Sequence, residues 1–253
     1  RLLNEALAND GSQSAGLEDS WEKHGLKICP EVCAACQFQK LRTALRKYGV
    51  ERLRMELLRD RFLDEASGKL TTGLQPFNLY ARLGSGVTKQ PTLEASQAKL
   101  GEFQDRFLLC CNRAEADEMW ESEDPAWLGK ASLSKRHLVL TLKDLHWEWF
   151  NIVTFGLVSG LAVGLAKAQE MRAAARLVAS QLEDWPAAEQ VGLYVVCSPH
   201  TKVKSMHLHV LDTRHLGPSF LKLRHNFLHL NMVIETFQQE LAEMDPLPSR
   251  ISL

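Results

Sequence analysis

The stretch Gly192-Leu-Tyr-Val-Val-Cys-Ser-Pro-His-Thr-Lys-Val-Lys-Ser-Met-His-Leu-His-Val-Leu211 decides the reading of this chain. Two β-prone runs, Val191 to Cys197 and Lys204 to Leu211, flank a turn at Ser198-Pro-His200, which predicts a hairpin. Side chains two apart on a strand share a face. Ser205, His207 and His209 therefore fall on one face, and Met206, Leu208 and Val210 on the other. The apolar face suits a helix packed behind the sheet. The opposite face presents two imidazoles side by side. A neutral imidazole is a capable nucleophile when a neighbour orients it. Charge developing on phosphoryl oxygens needs donors or cations close by. His207, His209 and Ser205, with Thr201, Lys202 and Lys204 just before them, are the residues that can meet these needs, the lysines as point charges.

Outward from this hairpin, His137 to Leu142 reads as a further strand. Asp144 is a natural N-cap for a long helix from about Leu145 to Leu182, ended by Pro186. Gly217-Pro218 marks a turn, and Leu230 to Met244 an amphipathic helix. Residues 112–135 are polar, contain Asp124-Pro125, and read as a loop or insertion. Upstream, the spacing of Leu41, Leu45, Leu53, Leu57, Leu58 and Phe62 predicts helix over 31–65, divided at Gly49. Leu2 to Ala8 and Thr92 to Phe103 also read as helices, and 66–91 as turn-rich. Phe107 to Cys110 fits either the end of a helix or the start of a strand. The pattern is an α+β protein: a mostly helical N-terminal extension over 1–111 and a sheet domain over 112–253.

The long helix has two readings. No charged residue lies between Glu148 and Lys167, and Gly156, Gly160 and Gly164 are spaced four apart. A membrane span over 149–166 would meet the lower length limit. A buried helix pressed on the sheet is the reading adopted, because the strands before and after it must pair on one side of any bilayer.

Three segments carry a resemblance to a known family. They are the hairpin quoted above, Arg136-His-Leu-Val-Leu-Thr-Leu-Lys143 before the long helix, and Arg224-His-Asn-Phe-Leu-His-Leu-Asn-Met-Val-Ile-Glu-Thr-Phe237 at the close. Together they resemble the histidine-triad (HIT) superfamily, in its aprataxin-like and nucleotide-binding branches, over about 135–240. The resemblance implies an antiparallel sheet backed by a long helix. It also implies attack of a middle histidine on the α-phosphorus of a purine nucleotide or nucleotide conjugate, through a nucleotidyl-histidine intermediate. On that alignment His207 is the middle histidine and His209 the third. The first falls on Ser205, a departure, since serine can donate a hydrogen bond but supplies no imidazole. Thr201, Lys202 and Lys204 occupy the phosphate-binding segment.

Cys29-Pro-Glu-Val-Cys33-Ala-Ala-Cys36 has thiolate spacing that can reach one zinc ion, with His24 upstream as a fourth ligand; plain thiols are the alternative. The reaction implied for the histidines needs no cofactor. Six cysteines in 253 residues make no dense disulfide framework, so an intracellular reducing compartment, organellar or otherwise, is expected. The start shows no secretory leader, and a chain beginning at Arg1 is compatible with a removed targeting segment. Lys+Arg 30 against Asp+Glu 31 gives no global basic field for nucleic acid. The Arg/Lys-rich stretch Lys40 to Arg61 reads as a solvated helix face or a docking surface. Two functions follow: a nucleotide-phosphate-binding protein, with hydrolysis or nucleotidyl transfer through His207, or a non-catalytic scaffold subunit that docks into an assembly through its helical extension.

Overall fold

A computed structural model describes residues 34–59, 63–69, 100–144, 146–149, 151–196 and 206–244, without the side chains at 53, 56, 57 and 59. Its strands are β1 (Phe107–Cys111), β2 (His137–Leu142), β3 (Val191–Val196), β4 (His207–Asp212) and β5 (Phe227–His229). They form one antiparallel sheet in the order β1-β2-β4-β3-β5. The helices among the described residues are α1 (Ala34–Tyr48), α2 (Val50–Arg59), α3 (Ala114–Glu118), α4 (Leu161–Gln181), α5 (Pro218–Leu223) and α6 (Leu230–Met244). The architecture is α+β.

Strand alternation sorts the sheet into two unlike faces. Leu208 lies opposite Leu140 and Val195, and Val210 opposite Leu138 and Leu193. This face also carries Phe107, Leu109 and Leu142, and it joins α4, α6 and α1 in one apolar core. In α4 the buried positions Leu161, Gly164, Ala168, Met171, Ala175 and Val178 recur at three and four, the stripe of a helix lying on a sheet. Small residues at several of them let the helix lie close. In α6, Leu230, Val233, Ile234 and Phe237 play the same part.

The long helix begins later than the sequence suggests. Asp144 caps no helix; its carboxylate accepts the His146 N–H at 2.9 Å in a local turn. Single 3-10 turns follow at Trp147–Trp149 and Ile152–Thr154, with Trp147, Trp149 and Phe155 buried. Gly156 and Gly160 then take positive φ of 74° and 97°, which most residues disfavour, and α4 starts at Leu161. Buried Glu148 holds the loop by accepting from the Val158 and Ser159 N–H groups at 3.0 and 2.9 Å. A Cβ on Gly164 would meet the Gly156 nitrogen at 2.7 Å, so the spaced glycines let the chain's own loop sit on its own helix. The stretch 149–166 is thus no continuous helix. Among the described residues no helix is long and apolar enough to cross a membrane.

The chain before residue 112 contributes to the same core. Phe107–Cys111, ambiguous in sequence and within the stretch read as a helical extension, pairs with β2 along its whole length. Gly49, with φ of 93°, separates α1 from α2 as expected. Phe38, Leu41 and Leu45 of α1 are buried, and Phe38 packs on Phe237 with ring centroids 6.0 Å apart. Arg42 departs from the solvated-face reading, being 1% exposed. It donates to the carbonyls of Val153 and Phe155 at 2.9 and 2.6 Å and to both carboxylate oxygens of Glu240 at 3.3 and 2.8 Å. One guanidinium thereby ties α1, the loop before α4 and α6 together, lying 4.6 Å over the Phe237 ring.

Of the remaining expected elements, Gly217-Pro218 starts α5, with the proline in the first turn, where no N–H is needed. Residues 112–135 contain α3 and several turns rather than a plain loop. Gly101–Phe103 forms a 3-10 turn. The expected helices at Leu2 to Ala8 and over most of Thr92 to Phe103, and the turn at 198–200, lie outside the described residues.

Candidate functional site

His207 and His209 stand on the sheet face opposite the main core, their rings 5.0 Å apart and close to perpendicular. Both are partly exposed. Strand register brings a third imidazole to them. β2 pairs with β4 so that Thr141 lies opposite His207, Val139 opposite His209, and His137 opposite Leu211. His137 is thus the diagonal neighbour of His209 on the same face, within reach of a long side chain. Its Nε2 lies 2.8 Å from His209 Nδ1, with ring centroids 5.1 Å apart.

The contacts of His137 settle where its proton sits. Its Nδ1 accepts the Leu133 backbone N–H at 3.2 Å and faces the Asn112 side-chain Nδ2 at 2.6 Å. A ring nitrogen facing donors holds its lone pair there, so a neutral imidazole carries the proton on the other nitrogen. His137 Nε2–H then donates to His209 Nδ1, and His209 in turn presents Nε2–H. Burial lowers the pKa of His137 to about 3, with the neighbouring His207 adding to the effect. Burial also takes His209 well below the usual histidine value, followed by its proximity to His207 and His137. Both rings are accordingly neutral near pH 7. The arrangement offers one imidazole, His207, beside a second that shows a fixed N–H.

Aromatic side chains wall one side of the pair. Phe227 meets His209 edge to face at 5.5 Å and stacks on Phe220 at 5.2 Å. Tyr194, opposite His209 across the β3–β4 ladder, packs on Phe220, Phe227 and His229. These rings join Leu133, Leu211 and Leu216 in a small second core under α5. At the far end of β4, buried Asp212 is held by Arg214 at 2.9 and 3.0 Å, with His215 at 3.2 Å and Arg136 at 3.5 Å. Burial alone would raise its pKa; the Arg214 and His215 hydrogen bonds outweigh this and hold it at about 2.

Of the residues singled out in sequence, His207 and His209 come together. Ser205, Thr201, Lys202 and Lys204 lie outside the described residues, as do Cys29, Cys33 and His24. Cys36 is exposed on α1. Among the described residues no group of three His, Cys, Asp or Glu side chains is placed to hold a metal ion. His137 and Asn112 were missed as site residues. His137 lies on a strand of unmistakable pattern, but its meeting with His209 depends on which strand pairs with β4 and in which register. Asn112 carried no local signal.

Comparison with known protein families, with characterised proteins and with solved structures finds no match to the chain.

Proposed function

We propose that this chain binds the phosphate of a nucleotide or nucleotide conjugate against the His207–His209 face, and that His207 serves as a nucleophile there. The observation that carries the reading is the His207–His209 imidazole pair on the sheet face away from the main core, with His137 orienting His209 from the next strand at 2.8 Å. In the proposed reaction a lone pair of His207 forms an N–P bond to the α-phosphorus. The bond from phosphorus to the leaving group breaks, and that group takes a proton from water. His209 Nε2–H donates to a phosphoryl oxygen, where charge develops. Water then attacks phosphorus, the N–P bond breaks, and the nucleoside monophosphate leaves with His207 restored. Phe227 and Tyr194 supply apolar surface beside the pair, which suits a purine.

The resemblance to the histidine-triad superfamily supports the same chemistry. Serine at the first triad position favours the second reading, a non-catalytic scaffold subunit whose pocket is idle. Titration of the full chain with AMP and GMP, and assay against an adenylated amide or a dinucleoside polyphosphate, separates the two. Saturable binding with turnover that His207→Ala abolishes supports the enzyme. Absence of binding at millimolar nucleotide refutes it and leaves the scaffold reading.

A further inference from the structure

We infer that Asn112, held by Ser132 and through it by Asp117, is a positioning residue that fixes the proton order of the imidazole pair; its catalytic meaning rests on the function proposed above. The observation is a continuous line of five side chains, Asp117–Ser132–Asn112–His137–His209, drawn from five places in the fold, the two histidines being on β2 and β4. Asn112 follows β1, Asp117 sits on α3, and Ser132 lies in the loop leading to β2. The Ser132 N–H donates to the Ala116 carbonyl at 2.8 Å, which keeps that loop against α3.

Direction propagates along the line because each group has one role left to it. A carboxylate only accepts. Asp117 Oδ1 therefore takes the single proton of the Ser132 hydroxyl. The Ser132 oxygen is then an acceptor, and it receives a hydrogen of Asn112 Nδ2 at 2.8 Å. This orients the amide, so its second N–H points at His137 Nδ1, 2.6 Å away. The Leu133 N–H converges on the same nitrogen. His137 must keep its proton on Nε2 and give that hydrogen bond to His209, whose own proton is left on Nε2. Were the order reversed, His209 would turn a lone pair outward and repel a phosphoryl oxygen instead of donating to it.

The line is more than filling. Ser132 is 1% exposed, and a buried hydroxyl and amide cost free energy unless paired. Apolar side chains of similar size would pack as well and leave His137 Nδ1 to the Leu133 N–H alone. The one substitution that keeps the shape and inverts the role is Asn112→Asp. A carboxylate beside Nδ1 calls for a proton on that nitrogen.

The test is nitrogen-15 NMR of the histidine rings in the full chain near neutral pH, which reads the protonated nitrogen of each ring without reference to activity. The wild-type chain is expected to show His137 and His209 both protonated on Nε2. Asn112→Asp is expected to move the His137 proton to Nδ1 and strip His209 Nε2, with a fall in kcat of about 100-fold and little change in KM where turnover is measured. A wild-type His137 protonated on Nδ1 overturns the inference, and so does a folded Asn112→Asp chain that keeps the wild-type pattern. The wild-type spectrum decides without any variant should Asn112→Asp not fold. The expected ring protons without nucleotide binding would refute the proposed function and leave the proton order standing.

Discussion

Acid should unfold this protein through His137 and His209. His137 has a pKa of about 3 in the fold, whereas a histidine in the unfolded chain titrates near 6.5. Below about pH 6.5 the unfolded chain binds a proton that the folded chain refuses, so stability falls as pH falls. The loss begins near the unfolded value and levels off below the folded one. Integrated from neutrality to about pH 4.5, His137 alone removes about 3 kcal/mol, a large share of the 5–15 kcal/mol typical of a domain. His209 is shifted in the same direction and steepens the slope. Asp212, held at about 2 by Arg214 and His215, adds its own loss only below the ordinary carboxylate range. The assay is urea unfolding, followed by tryptophan fluorescence, at a series of pH values between about 7.5 and 4.5. His137→Gln removes the titrating ring and should flatten the wild-type slope by about 1 kcal/mol per pH unit in the middle of that range. A stability that does not change over this range, or a His137→Gln slope equal to that of wild type, would rule out His137 as a source of acid sensitivity.

Other parts of the structure make separate predictions. Arg42→Met leaves two carbonyls without their donor and Glu240 with its Arg46 ion pair alone, and should cost about 2 kcal/mol or more in urea unfolding; a loss under about 1 kcal/mol would show that the guanidinium is no clamp. Gly164→Ala forces a methyl into the Gly156 backbone and should destabilise by about 1–3 kcal/mol, read as a lower Tm, where an unchanged Tm would contradict the close approach. Cys110 is buried on β1, and burial lifts its thiol pKa to about 12, so native protein near neutral pH should leave it unalkylated by iodoacetamide in peptide mass spectrometry.

Much of this architecture is legible in the sequence where the signal is local. The β3–β4 alternation, the β2 pattern and the apolar spacing of Leu230 to Met244 each lie within one element, and each places its residues on the correct face. What escaped depends on distant partners. Phe107-Leu-Leu-Cys-Cys111 is an uninterrupted apolar run, so no alternation distinguished a strand buried on both faces from a helix end. The start of α4 was obscured because the residues before it are apolar as well; the break comes from two glycines at positive φ and from Glu148, which reaches forward ten residues to hold the loop. Arg42 looked like one more charge on a basic helix, and only the return of α6 and of the Val153–Phe155 backbone explains its burial. For the site, alternation correctly put His207 and His209 together, but their third imidazole comes from a strand some seventy residues earlier. Its position follows from the β2–β4 register, which nothing near His137 announces.

Attack of the His207 imidazole on phosphorus is the step on which the proposed function stands. The direct measurement is to mix the full chain with a nucleotide-amide conjugate, quench rapidly under alkaline conditions that preserve N–P bonds, and map any added mass by peptide mass spectrometry. A nucleoside monophosphate carried on His207 and lost in His207→Ala, with His209 unmodified, is the expected result. An adduct on another residue, or none from a chain that turns the conjugate over, would contradict it.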